Sequence, residues 1–149
     1  MKDPIGAPGD SRRKAVLALV AHDGKKDDLL RLALQYLSTL TRLHLLATAH
    51  TGQQLSEELG LSVEPVASGP EGGDMQIGAR IVEGSVDAVV FLRDPLTAHP
   101  HEPDIQALLK VCDIHGVPLA TNLASAEILL RSLSQAIYWG REAAAILSS

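Results

Sequence analysis

Residues 86–92 read VDAVVFL, a run in which only Asp87 interrupts apolar side chains, half of them β-branched valines. A strand with one wet face alternates apolar and polar residues; a run that is apolar on both parities predicts a strand covered on both sides, the mark of a parallel sheet between helical layers. Four more short runs read as strands: AVLALVA at 15–21, which is continuously apolar, LHLLAT at 43–48, SVEPVA at 62–67 and PLAT at 118–121. Helical patterns separate them. One runs from Lys26 to about Leu40 with Leu29, Leu30, Ala33, Leu34 and Leu37 on a stripe, and TGQQLSEELG (51–60) stops at Gly60. Others span about Asp74–Glu83, Pro103–His115 and Ser125–Ser132. Strands joined through helical crossovers pair in parallel. The expected fold is a three-layer, doubly wound α/β domain with a five-stranded, mainly parallel sheet over residues 14–149. Residues 1–13, rich in Pro, Gly and charge, are expected to form a flexible leader, and 134–149 a last helix interrupted at Gly140.

Composition narrows the function. A chain of 149 residues that is 46% hydrophobic can bury one sizeable core. A net charge of −5, with one Phe, one Trp and two Tyr, offers no footprint for a nucleic acid and few rings to stack on bases. No apolar run reaches membrane-spanning length, the start MKDPIGAPGDSRRK has no signal-peptide core, and the single Cys112 cannot close an internal disulfide. A cytoplasmic protein without membrane or nucleic-acid partners is expected.

In open α/β sheets ligands bind at the carboxyl ends of the strands. Those positions hold His22, Asp23 and Lys26 after the first strand, and Thr48, His50 and Thr51 after the second. The glycine-rich loop SGPEGGDMQIG (68–78) follows the third, with Ser68, Gly69 and Asp74. Asp94, His99, His101 and Asp104 follow the fourth, and Thr121 and Asn122 the fifth. Each has a purely structural reading too. Asp74 and Asp104 fall in first helical turns, which favour acids; Glu102 and Pro103 suit a helix cap and first residue; Thr48 and Thr51 could cap the second helix. His22 and His101 could be hydrogen-bonded framework histidines, while His44, His115 and Cys112 are assigned to structure. The convergence of five groups on one sheet end argues for a site.

No GxGxxG follows the first strand, and neither a GxxxxGK[ST] loop nor a nucleophile elbow is present. His99 and His101 with Asp94 and Asp104 lack a standard zinc spacing, so no metal is assigned. What remains is metal-free acid–base chemistry on a small anion. Hydroxyls of Thr48, Thr51 and Ser68 with helix N-terminal N–H groups and the Lys26 charge suit a phosphate. Asp74 or Asp104 could take a proton beside a carbonyl while His101 and the Gly69 amide stabilise the oxyanion, an enediolate-type reaction.

The segments LVAHDGKK (19–26), ASGPEGGDMQIGARI (67–81) and VFLRDPLTAHPHEPDIQALLKVCDIHGVPLATN (90–122) closely resemble the methylglyoxal synthase family, over roughly Lys14–Arg131. The motifs SGPxGGDxQIGA and RDPLxAxPHEPD are long and specific. The resemblance implies a methylglyoxal synthase-like, flavodoxin-like fold. It further implies a lyase that converts the triose dihydroxyacetone phosphate to methylglyoxal and inorganic phosphate, with no metal or organic cofactor, in a homo-oligomer that is typically a hexamer. It makes Asp74 the base at carbon, and gives Asp104, His101 and His22 the enediol protons and the carbonyl. Gly69 would offer its amide; Lys26, Thr48, His50, Thr51 and Ser68 would hold phosphate, with Asp23 and Asp94 organising the site. The sequence departs from the family at 48–52, TAHTG for TGTTG, putting Ala49 and His50 into the phosphate loop, which predicts weaker or more acid-dependent activity. The alternative is a non-catalytic sensor of phosphate or a phosphometabolite, like the effector domain of carbamoyl-phosphate synthetase. The altered loop favours it. The retained Asp74, Asp104, His22 and His101 oppose it, because a pure anion site gains nothing from two nearby carboxylates that repel it.

Overall fold

The computed structural model describes residues 14–135. The expected leader (1–13), the Gly140 interruption and the rest of the chain after Gln135 lie outside the described residues. The five apolar runs form β1 (Val16–Ala21), β2 (His44–Thr48), β3 (Val63–Val66), β4 (Ala88–Leu92) and β5 (Leu119–Ala120). The helices are α1 (Lys26–Gln35), α2 (Leu37–Leu40), α3 (Ala49–Leu59), α4 (Gly73–Val82), α5 (Glu102–His115) and α6 (Leu123–Gln135). All four strand pairings are parallel, in the order β3-β2-β1-β4-β5. The three-layer α/β architecture is therefore the one expected.

Successive strand residues point to opposite faces, and the core divides accordingly. Leu17 and Leu19 of β1 and Val90 and Leu92 of β4 pack with Leu29, Leu32, Leu55 and Leu130 of α1, α3 and α6. Ala18 and Val20, with Val89 and Phe91, pack on the other face with Ile77 and Ile81 of α4 and Ile105, Leu108 and Cys112 of α5. Each such Leu, Ile or Phe contributes roughly 1.5–3 kcal/mol by leaving water. Asp87, the one polar residue in the opening run, is buried because its Oδ2 accepts the Val16 N–H at 2.8 Å while its own N–H donates to the Val16 carbonyl at 2.9 Å. It pins β1 to β4 at the end remote from the loops carrying the candidate residues.

Edges and helix ends differ in detail from the sequence reading. The helix expected over 26–40 breaks at Tyr36 (φ −108°, ψ 28°), leaving the one-turn α2. Proline in β3 (Pro65) is accommodated because β3 is an edge strand paired only to β2. β5 is shorter than 118–121, bracketed by Val89 N–H to the Pro118 carbonyl and Arg93 N–H to the Thr121 carbonyl. α5 begins one residue early: Glu102 is its first residue and His101 its cap, because the Asp104 and Ile105 N–H groups both return to the His101 carbonyl. The cap expected at Glu102 is thereby moved onto a candidate site residue. α6 also starts early, at Leu123, with Asn122 Oδ1 accepting the Ser125 N–H at 3.0 Å.

Candidate active site

The sheet order reverses beside β1: the chain moves outward through β2 and β3, then crosses to β4 on the other side. The loops leaving β1 and β4 splay apart at such a point. A cavity of about 320 Å³ opens there, lined by nine of the twelve residues to which the family resemblance gives roles: His22, Asp23, Lys26, Thr48, His50, Ser68, Gly69, Asp94 and His101. Asp74, Asp104 and Thr51 do not line it. The fifth strand end is also elsewhere. Thr121 and Asn122 face a separate cavity of about 110 Å³, so the expectation that five strand ends converge is corrected to four. Asn122 is occupied as the α6 cap, and β5 is too short and too far across the sheet to reach the switch point.

The glycine loop has three different reasons for its glycines. Gly72 sits at φ +105°, a conformation side chains rarely adopt. A Cβ on Gly73 would stand 2.0 Å from the Ala67 carbonyl oxygen, and one on Gly69 would stand 2.9 Å from His101 Nε2. The loop is thus folded tightly over the start of α4 and against the His101 ring. Ser68 Oγ donates to Glu71 at 3.0 Å.

Asp74, in the first turn of α4, is 0% exposed, and neither carboxyl oxygen has a hydrogen-bond partner. His101 Nε2 lies 3.4 Å from its Oδ2. Since His101 lines the cavity and Asp74 does not, the imidazole stands between carboxyl and cavity. Burial holds the Asp74 carboxyl above the ordinary carboxylate range; His101 opposes this and the nearby Asp104 adds to it.

On the opposite wall, the Asp94 N–H donates to His22 Nδ1 at 2.8 Å. An amide can only donate, so Nδ1 carries the lone pair and the His22 proton resides on Nε2. That Nε2 is buried and without a partner. Burial, together with His99, His101 and Arg93 and against the influence of Asp94, pushes the imidazole down to about 4. His22 is thus a neutral hydrogen-bond donor over the physiological range. The Asp94 carboxylate shapes its own loop, accepting the Thr97 hydroxyl at 2.8 Å and the Leu96 N–H at 3.3 Å.

Lys26 supplies the positive charge. Its ammonium donates to the Ala21 carbonyl at 3.2 Å and Thr51 Oγ1 at 3.1 Å, which is how Thr51 serves the site without lining it. Desolvation lowers the lysine from its usual value, and Asp23, at 3.9 Å with a side chain 97% exposed, counteracts this. Thr48 occupies the cap position of α3 but makes no side-chain capping bond; the hydroxyl is not committed to folding the helix. His50 is exposed on the cavity wall. Among the described residues no group of three or more His, Cys, Asp and Glu is arranged to hold a metal ion. The sequence marks His99 only as one strand-end polar residue and a metal candidate. In the fold it stacks face to face on His22, with ring centroids 3.6 Å apart, a contact no local pattern signals.

Comparison with known proteins agrees with the motifs. Residues 28–121 match the MGS-like domain family. A methylglyoxal synthase of Thermus thermophilus is 61% identical over 114 residues, 76% of this chain and 90% of that one. One from Thermoanaerobacter sp. (strain X514) is 52% identical over 126 residues, covering 85% and 96%. The crystal structure of methylglyoxal synthase from Elizabethkingia anophelis NUHP1 superposes with a TM-score of 0.74 at 42% identity, over 78% of this chain and 77% of that one.

Proposed function

The chain belongs to the methylglyoxal synthase family, and from that premise we propose how its cavity works. The activity is that of a carbon–oxygen lyase: dihydroxyacetone phosphate enters, and methylglyoxal and inorganic phosphate leave. Relatives named as synthases at 52–61% identity leave the sensor-only alternative disfavoured.

The phosphate is held at the N-terminus of α3, where the helix dipole and free N–H groups favour an anion, by Thr48, Ser68, His50 and Lys26, with Thr51 steadying the lysine. Ser68 gives up Glu71 to do so. Asp74 takes a proton from the hydroxymethyl carbon as the His101 ring turns aside to admit substrate. The electron pair left on carbon moves into the carbonyl, and the developing oxyanion is met by His22 Nε2–H, His101 and the Gly69 amide. The enediolate then loses the hydroxyl proton, toward Asp104 or His101; its electrons form the aldehyde, and the C–O bond to phosphate breaks with its pair going to the leaving group. The resulting enolate becomes methylglyoxal by taking a proton at carbon. Elimination requires that C–O bond to overlap the enediolate π system, which fixing the phosphate achieves.

The observation that carries this reading is Asp74: a fully buried carboxyl with no hydrogen-bond partner is a liability to folding, but burial is what raises a carboxylate's basicity toward that of a useful base. The test is release of methylglyoxal and phosphate by purified wild type and Asp74→Asn with chelator present. We expect wild-type turnover and a loss of at least about a hundredfold in the variant, the scale of a general base. A wild type that binds phosphate without turnover overturns the lyase reading.

We place the protein in the cytoplasm as a homo-oligomer, a hexamer by family likeness. No helix among the described residues is long and apolar enough to cross a membrane. Met75 and Val82, exposed on α4, are apolar side chains that subunit contact would cover. Light scattering on the purified protein measures this directly.

A further inference from the structure

The two stacked imidazoles on the β1–β4 side of the cavity share one anchor. Asp94 donates its N–H to His22 Nδ1, and its carbonyl lies 3.2 Å from His99 Nε2. A carbonyl only accepts, so His99 carries a proton on that nitrogen and is the donor. With its rings 3.6 Å apart and inclined by 20°, the pair forms a stack, and Phe91 meets His22 edge-on at 5.1 Å. His22 therefore packs against both a half-buried imidazole and a fully buried phenyl ring.

We propose that His99 is a positioning residue for the lyase reaction: stacked on His22 and tied to the Asp94 carbonyl, it fixes the His22 ring as a neutral donor through Nε2. His99 is one of the positions left unspecified in the RDPLxAxPHEPD motif, and the reading given above assigns it no role. The inference rests on His22 acting as the donor to the substrate oxygen. The effect is electrostatic as well as steric. When His99 is protonated, a second proton on His22 would put like charges in face-to-face contact, where separation is too short for water to screen them fully. His99 therefore adds to what keeps the His22 ring neutral. The other groups facing His22 are His101 at the start of α5 and Arg93, which act in the same sense, and Asp94, which acts against it. Burial is the largest influence in that direction, and His99 comes next. A neutral ring holds its proton ready for an oxyanion, whereas a cation at Nδ1 would have to break the bond from the Asp94 amide.

The test separates ring from charge. His99→Phe keeps a stacking ring without charge or donor; His99→Gln keeps a polar side chain without the ring. Nitrogen-15 NMR of His22 through a pH titration, together with kcat and KM for dihydroxyacetone phosphate at pH 8, is measured on wild type, both variants and His22→Gln. We expect the His22 titration to move up by about one pH unit in both His99 variants, the scale of one partly screened like charge. At pH 8, kcat should fall about tenfold in His99→Gln with KM little changed, as for a catalytic group held in the wrong place, and stay near wild type in His99→Phe. A His22 titration and tautomer unaltered by both variants overturns the proposal, and so does a folded His99→Gln enzyme with wild-type kcat. If His22→Gln itself keeps wild-type kcat, the failure lies in the reading of His22, whatever the His99 variants do.

Discussion

Asp74 is a carboxyl that the fold holds at its own expense. Buried without a hydrogen bond, it costs stability whenever it is charged, and the sign follows from its raised value. Between the ordinary carboxylate value and that raised one, the folded state binds more protons than the unfolded, so this contribution falls as pH rises through the window. Asp74→Asn should therefore unfold at a higher temperature than wild type at pH 7, by about 0.5–2 kcal/mol, while losing activity, and the gain should vanish below the ordinary carboxylate range. Differential scanning at pH 3.5 and pH 7 measures both. His22 gives the opposite slope. Its folded value of about 4 lies below the ordinary 6.5, so the unfolded state takes protons first and stability is lost as pH falls from 6.5 toward 4. In His22→Gln that acid loss should be smaller. His50 is a simpler case, exposed on the cavity wall beside the proposed phosphate site. His50→Ala should raise KM about threefold to tenfold, the worth of one hydrogen bond, with kcat unchanged in steady-state assays. From sequence these residues could be nominated, because each follows an apolar run. Their protonation could not, since it depends on burial and on partners distant along the chain, such as Asp94 for His22.

The loop between β3 and α4 does at the level of an element what Asp74 does as a residue. Gly73→Ala would push a Cβ into the Ala67 carbonyl, a backbone atom with no room to yield. A stability loss of at least about 1–3 kcal/mol is expected, with activity lost in step as the Ser68–Asp74 turn shifts; chemical denaturation and the product assay measure the two. Asp87 offers the contrast. Asp87→Ala leaves the Val16 N–H without its 2.8 Å acceptor in a partly buried position, costing about 1–3 kcal/mol, yet it lies at the amino end of β4, away from the cavity, so kcat should hold. The glycines of SGPEGGD and the acid at the start of α4 were legible as a turn and a helix start. The shift of the α5 start to make His101 its cap was not, because Glu102–Pro103 is a good local start signal and the Asp104 and Ile105 N–H groups chose the residue before it.

For the whole molecule, sequence alone settled that five strands alternate with helices, since covering on both faces writes apolar residues at both parities into the central strands β1 and β4. It also supplied the long motifs that carry the family likeness. Those are local properties: side-chain alternation and residue order survive in an unfolded chain. Tertiary structure alone decided that β1 lies at the centre with β4 beside it, which brings His22 within hydrogen-bond distance of an amide 72 residues away. It decided that the end of β5 falls outside the cavity, that Asp74 lies behind His101, and that His99 stacks on His22. These outcomes depend on strand order and on which surfaces lose water when the layers close, and no stretch of residues read along the chain contains either.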